Sequence, residues 1–299
     1  MVDFKSIFHG EVDIEKITIK NKTTIITTSK DKIVIKKKKN NRDNIVAYLK
    51  QRNFDNIVYP INRHENYYVY PYVETINIIE EQKAIDIINL ISNMHNKTTF
   101  YKETTVDYYK EIYEKLDGEI DYLFNYYNDI VSIIESKVYF SPSQYLLIRN
   151  ISKVYACFEY LKNELNEWYK LVENKSKVRH CVVHNNLSTD HLLNSKEKNY
   201  LINFDRAKFD IPIYDILSFY LNQSNQFNFK ELLDLYESKF KLLEEEKKLL
   251  FILLSIPKKI NISEKSELEN TKEVRIFLDY MHKNEELISP YYEVENPKE

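Results

Sequence analysis

Val182-Val183-His184-Asn185-Asn186-Leu187-Ser188-Thr189-Asp190-His191-Leu192-Leu193, continued by Tyr200-Leu201-Ile202-Asn203-Phe204-Asp205-Arg206-Ala207 and Pro212-Ile213-Tyr214-Asp215-Ile216-Leu217, is the stretch whose reading decides the fold. Its apolar runs Cys181-Val182-Val183, Leu192-Leu193 and Tyr200-Leu201-Ile202 read as short strands, with polar side chains gathered in the turns between them. These strands interrupt a chain that is otherwise helical after Glu74. Upstream, Ile85, Ile88, Ile91 and His95 recur at helical spacing, as do apolar positions through 106–135 and 144–173. Downstream, Asn228 and Glu231 have capping-box spacing ahead of Leu232, Leu233, Tyr236, Phe240 and Leu243. A last helix near 265–283 carries Val274, Phe277, Leu278 and Met281, and the tail from Glu293 is expected to fray.

The first seventy residues have a different period. Ile17 and Ile19 alternate with polar residues, Asn21-Lys22 makes a turn, and Thr23–Thr28 and Ile33–Lys36 follow as strands separated by Ser29-Lys30-Asp31. Residues 42–52 fit a short helix with Ile45, Val46 and Leu49 on one face. Ile57–Ile61 and Tyr67–Tyr70 read as two further strands, the second broken at Pro71. The expectation is an α+β protein on a two-lobed plan. A small antiparallel-sheet lobe spans 1–73, and a larger helical lobe spans 74–299 and contains the segment 182–207. A cleft between two such lobes is the default ligand site, for a small molecule or a protein partner.

Composition narrows the function classes. The 299 residues carry a formal net charge of −3, without the basic excess of a nucleic-acid binder. Cys157 and Cys181 lack metal-ligand spacing and read as free thiols. No secretory signal is visible in Met1–His9, and the longest uncharged apolar run, Leu249–Pro257, is about half a membrane span, so a cytoplasmic protein without membrane contact is expected. The Asn-Lys-Thr triplets at Asn21 and Asn96 then carry no glycosylation meaning. Trp168, Tyr108, Tyr109, Tyr126 and Tyr127 read as core and surface of a tyrosine-rich helical part. The chain has two glycines, Gly10 and Gly118, where average usage would give about twenty. That excludes a glycine-rich phosphate loop of either common type. Codon bias explains most of the shortage.

The block 182–217 resembles the catalytic core of the aminoglycoside phosphotransferase and choline kinase-like group, including its spore-coat kinase-like members. These are small-molecule relatives of protein kinases. Their pattern is roughly H-G-D-L-H-x-x-N-I/L-L, then I-D-F/W-D/E-x-A, then P-x-x-D-L. Outside the block, Ile35-Lys36 resembles the strand end that carries the nucleotide lysine. Val69-Tyr70-Pro71-Tyr72-Val73-Glu74 resembles the hinge, with Tyr70 and Tyr72 beside the nucleotide, and Ile91–His95 resembles the family's L-x-x-L-H helix end. The resemblance implies a protein-kinase-like fold and phosphoryl transfer from ATP to a hydroxyl. In that chemistry a loop Asp takes the hydroxyl proton, while an Asn five residues later and a strand-end Asp hold Mg²⁺.

Those positions depart from the pattern here. Asn186 stands at the base position, His191 at the loop metal position and Asn203 at the strand-end metal position. An amide takes no proton at neutral pH, which forfeits a contribution on the order of 10²–10⁴-fold. Mg²⁺ prefers anionic oxygens to an imidazole or a neutral carbonyl. Asp205, two residues past Asn203, offers one route to a rescued metal contact. Helix 42–52 holds no Glu to pair with Lys36; its one acid, Asp43, reads as a first-turn residue. His184 and Asp215 match positions that support the loop rather than react. The expectation is therefore a pseudokinase that acts by binding or scaffolding, with spore-coat proteins as one context and no cofactor. The alternative is an active phosphotransferase using ATP and Mg²⁺ through atypical ligands.

Overall fold

The structure is a computed structural model that describes residues 14–20, 23–29, 31–38, 43–63, 66–105, 107–261 and 266–293. The stretch before Ile14, the Asn21-Lys22 turn, Lys30, Lys39 and the tail after Glu293 lie outside the described residues. The protein is α+β with a protein-kinase-like fold. Two compact units make it up: one of Met1–Phe100, His180–Gln223 and Leu232–Phe240, the other of Tyr101–Arg179, Ser224–Glu231 and Lys241–Glu299.

In the first unit, β1 (Ile14–Lys20), β2 (Thr23–Thr28), β3 (Lys32–Lys37), β4 (Asn62–Arg63) and β5 (Tyr67–Pro71) form one antiparallel sheet in the order β1-β2-β3-β5-β4. Alternation sets its two faces. Ile26, Ile33, Ile35 and Val69 turn to a common core, which leaves Val34 and Lys36 of β3 on the opposite face. The helix α1 (Asp43–Gln51) buries Ile45 and Leu49, and Asp43 is its first-turn acid, as expected. Along α2 (Glu80–Thr98) the buried stripe runs through Ala84, Ile87, Ile88, Ile91 and His95, while Ile85 is exposed.

The strand expected over Ile57–Ile61 does not form. Ile57 makes a single parallel bridge to Leu201, whose N–H donates to the Asn56 carbonyl at 2.8 Å. Pro60 lacks an N–H for a ladder, and the first bond to β5 runs from the Ile61 N–H to the Val69 carbonyl at 2.7 Å, next to the β4 pairing at Asn62. The central segment contributes the end of β7 (Lys177–Val183), paired with β10 (Lys208–Asp210) from Lys208↔Val183 to Asp210↔Cys181. The hairpin of β8 (Leu192–Asn194) and β9 (Asn199–Leu201) follows the quoted loop. The strand β10 and β6 (Phe100–Glu103) are too short and too polar to show as period-2 runs. After the loop come α6 (Ile213–Gln223) and α7 (Phe229–Lys239), which Asn228 precedes with its amide donating to Glu231 Oε1 at 2.8 Å.

The second unit is a helical assembly of α3 (Asp107–Glu135), α4 (Pro142–Arg149), α5 (Ile151–Val172), α8 (Glu244–Ser255) and α9 (Glu267–Glu293). The helix expected over 144–173 is two helices. Asn150, at φ −109° and ψ 5°, separates them, and its side-chain amide donates to the Leu146 carbonyl at 2.9 Å. Short polar side chains of this kind compete with the helical backbone. Pro142 opens α4, and α9 runs ten residues past the expected Lys283 because Asn284, Leu287 and Ile288 continue the buried stripe. Trp168, Tyr109 and Tyr127 are buried here, Tyr127 stacked on Phe277 with ring centroids 5.5 Å apart.

Gly118 lies inside α3 with nothing within 4 Å of where a Cβ would stand. Glycine in a helix interior costs about 0.5–1 kcal/mol relative to alanine. Gly118→Ala is therefore expected to raise stability by about that amount, read as a higher urea midpoint at unchanged m value.

Candidate functional site

Three local features place the site. Alternation along β3 brings Lys36 to the face away from Ile33 and Ile35, with its side chain about one-fifth exposed. The 3-10 turn Thr189–His191 delivers His191 to the start of β8, fixed by the Ile202 N–H donating to the His191 carbonyl at 2.9 Å. After β9 the chain reverses at Asn203, whose φ of 74° is left-handed, and a second 3-10 turn carries Phe204–Arg206. Asn185 is left-handed too, with φ 56°. Asparagine is among the few non-glycine residues that adopt this region readily.

These placements join Lys36, His191, Asn203 and Asp205. The Lys36 ammonium donates to Asn203 Oδ1 and, at 3.0 Å, to Asp205 Oδ2. Asn203 Nδ2 lies 2.7 Å from His191 Nε2, and His191 Nδ1 lies 2.6 Å from the Asn186 carbonyl oxygen. An amide nitrogen only donates and a carbonyl oxygen only accepts, so the roles are set. His191 carries its proton on Nδ1, donates it to Asn186 O, and accepts from Asn203 on Nε2. The result is a directed chain in which each link pairs a donor with an acceptor: Asp205 ← Lys36 → Asn203 → His191 → Asn186. Burial pushes the His191 pKa down, more strongly than its bond to Asn186 raises it, in keeping with a neutral ring.

Asp205 reaches Lys36 by a route other than the expected continuing strand. The strand stops at Leu201, and the left-handed residue plus the 3-10 turn bring the carboxylate round instead. Lys36, which has no Glu in α1, thus finds its carboxylate partner two residues beyond Asn203. Asn186 is half-buried, and its backbone oxygen is the atom engaged in the chain. Tyr70 meets Tyr68 at 6.0 Å between ring centroids, and Tyr72 lies under the Lys32 ammonium, 3.8 Å from its centroid.

Asp215 and His184 hold the loop from beneath. Asp215 is fully buried in the first turn of α6 and accepts the N–H of His184 at 2.8 Å and of Asn185 at 2.6 Å. Its Oδ2 also lies 3.1 Å from His95 Nε2, while His95 Nδ1 lies 2.7 Å from the Tyr236 hydroxyl. His184 donates from Nε2 to the Ile202 carbonyl at 2.8 Å and meets Phe204 edge-on at 4.8 Å. Burial pushes the His184 pKa down, outweighing the nearby Asp215 carboxylate.

Two connections escaped the sequence reading. In the sequence His95 shows only as a member of the buried period of α2. Its helix-end position in Ile91–His95 gave no hint of Asp215, 120 residues away. Asp86 Oδ2 gathers the side-chain amides of Asn199 at 2.7 Å and Asn194 at 3.2 Å, fastening the β8–β9 hairpin to α2. An acid on the polar side of an amphipathic helix carries no local signal of such a role. Among the described residues no three His, Cys, Asp or Glu side chains form a group that suits a metal ion. Cys157 and Cys181 are free thiols, and no described helix is long and apolar enough to cross a membrane.

The sequence matches no protein-family model and no curated protein. The fold matches solved structures over nearly its whole length. An aminoglycoside phosphotransferase from Alicyclobacillus acidocaldarius subsp. acidocaldarius superimposes with a TM-score of 0.66 at 11% identity, covering 94% of this chain and 92% of that one. The AMP-bound spectinomycin phosphotransferase APH(9)-Ia gives a TM-score of 0.53 at 12% identity, covering 91% and 93%. A choline kinase from Streptococcus pneumoniae gives 0.46 at 15% identity, covering 94% and 92%. At such identities the likeness is one of fold.

Proposed function

We propose that this chain is a kinase-fold protein whose phosphotransfer chemistry is impaired and which acts by binding, as a scaffold or regulator. The observation that carries this reading is the closed hydrogen-bond chain from Asp205 and Lys36 to Asn186. The atoms that metal and phosphate chemistry would use are spent inside it. His191 Nε2, the lone pair a metal would take, accepts from an amide; Asn203 Oδ1 accepts from an ammonium. Mg²⁺ requires near-octahedral, mostly anionic or water oxygen ligands, so this donor set does not suit it. Asn186 supplies no base, and Lys36, the group for phosphate, is committed to Asp205. The ligand in such a role is a protein or a small molecule. A coat component is the partner class suggested by the resemblance of 182–217.

A second reading rests on Asp205. It is a carboxylate beside Asn203 with a quarter of its side chain exposed, and an active ATP-dependent phosphotransferase acting on a hydroxyl would use it as its metal ligand. Thermal melts with ATP, with and without Mg²⁺, alongside a phosphate-release assay, separate the two. A ligand at a hundred times its Kd stabilises by about 2.7 kcal/mol. The expected result is no Mg²⁺-dependent rise in Tm and no release above background. Metal-dependent stabilisation of that size, with turnover, would overturn the proposal in favour of the second reading.

A further inference from the structure

The helical unit holds a cavity of about 840 Å³ between α5 and α9, reaching Ser255 at the end of α8. None of Lys36, Asn186, His191, Asn203 or Asp205 lines it. We propose that it binds a small amphiphile: an apolar body along the floor, and a hydroxyl or ammonium head at the end formed by Tyr160, Glu164 and Tyr292. The volume falls in the range of small-molecule sites, about 300–1,000 Å³, which characteristically combine an apolar lining with a few convergent polar groups.

The floor is apolar in practice as well as in composition. Leu278, Met281 and Ile288 line it. Two of its polar members are spent on backbone: the Cys157 thiol donates to the Ser255 carbonyl at 3.2 Å, and the Asn284 amide to the Leu254 carbonyl at 2.6 Å. Burial pushes the thiol up to about 12, so the floor carries no thiolate. The rim residues Lys153, His282 and Glu285 are exposed and solvated.

The Tyr160 end has a definite polarity. The Tyr292 hydroxyl donates to Glu164 Oε2 at 2.7 Å, and the same oxygen takes the Lys248 ammonium. With its proton committed there, Tyr292 accepts from the Tyr160 hydroxyl at 3.1 Å. Both tyrosine protons are then used, and what remains is acceptor capacity: the Tyr160 oxygen and Glu164 Oε1, which has no hydrogen-bond partner among the described residues. A head that lies here must donate. A hydroxyl or ammonium satisfies these atoms, and a carboxylate gains no donor from Tyr160 or Tyr292, whose protons are already used.

The test titrates the full chain with decanol, decylamine and decanoate below their aggregation concentrations, followed by calorimetry and Tm. Decanol and decylamine are expected to bind at micromolar concentration, with decanoate at least tenfold weaker. Ala156→Trp, which fills the cavity from an exposed position on α5, should weaken the first two at least tenfold. Tyr160→Phe should reduce decanol binding about three- to tenfold while leaving the fold, checked by circular dichroism, intact. Decanoate binding as tightly as decanol would overturn the proposal, as would unchanged binding in Ala156→Trp or no binding of either donor below millimolar. Because no residue of the 182–217 block enters the test, its outcome is independent of whether the chain transfers phosphate.

Discussion

Asp215→Ala is expected to cost about 3–5 kcal/mol of folding stability, the range for breaking one side of a buried charged network. The carboxylate is fully buried and accepts two backbone N–H groups, from His184 and Asn185, besides facing His95 Nε2. Alanine leaves those donors without partners in a volume that water does not reach, and each orphaned donor costs about 1–3 kcal/mol. Asp215→Asn keeps one acceptor oxygen but turns an NH2 toward a second donor, so its cost should fall between wild type and alanine. Asp205→Ala is the internal comparison: its pair with Lys36 is partly exposed, and loss of such a pair is worth about 0–1 kcal/mol. Urea unfolding at pH 7 ranks the three. A cost for Asp215→Ala no larger than that for Asp205→Ala would show that the loop does not hang on this carboxylate. Amide exchange at His184 and Asn185 should quicken in Asp215→Ala before the rest of the unit loosens.

What was legible in the sequence follows from periodicity. Ile33 and Ile35 on one face of β3 require Lys36 on the other, and the alternation is local enough to read without coordinates. The period of 3.6 likewise found α2, α3, α7 and α9, though not α8 as a helix of its own, nor the Asn150 break, which depends on one side chain choosing the Leu146 carbonyl. The closed chain at the site was not legible for a different reason. His191 and Asn203 looked like two separate losses when each was compared with a metal ligand. They are complementary to each other, an acceptor facing a donor, and that becomes visible only once the left-handed turn at Asn203 brings them within 2.7 Å. The glycine shortage also changes meaning. Among the described residues, the non-glycine residues with positive φ are Asn53, Asn185 and Asn203. Asparagine takes these left-handed positions in a chain with almost no glycine, so Asn185, standing where the resembled pattern has glycine, still supplies a left-handed backbone there.

The complementarity of His191 and Asn203 makes a repair experiment sharply non-additive. Asn203→Asp alone replaces the amide donor facing His191 Nε2 with a carboxylate oxygen, so two acceptors meet at a distance of 2.7 Å in the parent structure. The single substitution should therefore destabilise, and it should raise the His191 pKa, since a protonated ring would restore the bond. His191→Asn alone removes the acceptor and leaves the Asn203 amide to find another partner. Together the two restore the match in reverse, the new amide donating to the new carboxylate, and neither change strains the backbone at 203 because Asp tolerates the left-handed region nearly as well. A double-mutant cycle by urea unfolding at pH 7 should give a favourable coupling of about 1–2 kcal/mol. Adding Asn186→Asp to the pair supplies the carboxylate that the base position lacks. This triple variant is expected to show an Mg²⁺-dependent stabilisation by ATP of about 2–3 kcal/mol at a hundredfold excess over Kd, with neither the wild type nor any of the three single variants expected to reach it. A triple variant that folds by circular dichroism, shows the coupling, and still takes up no Mg·ATP by calorimetry would sink the proposal that these three residues are what separates the chain from phosphoryl transfer. It would place the obstacle at Lys36, whose ammonium would then have to leave Asp205 before any phosphate could meet it.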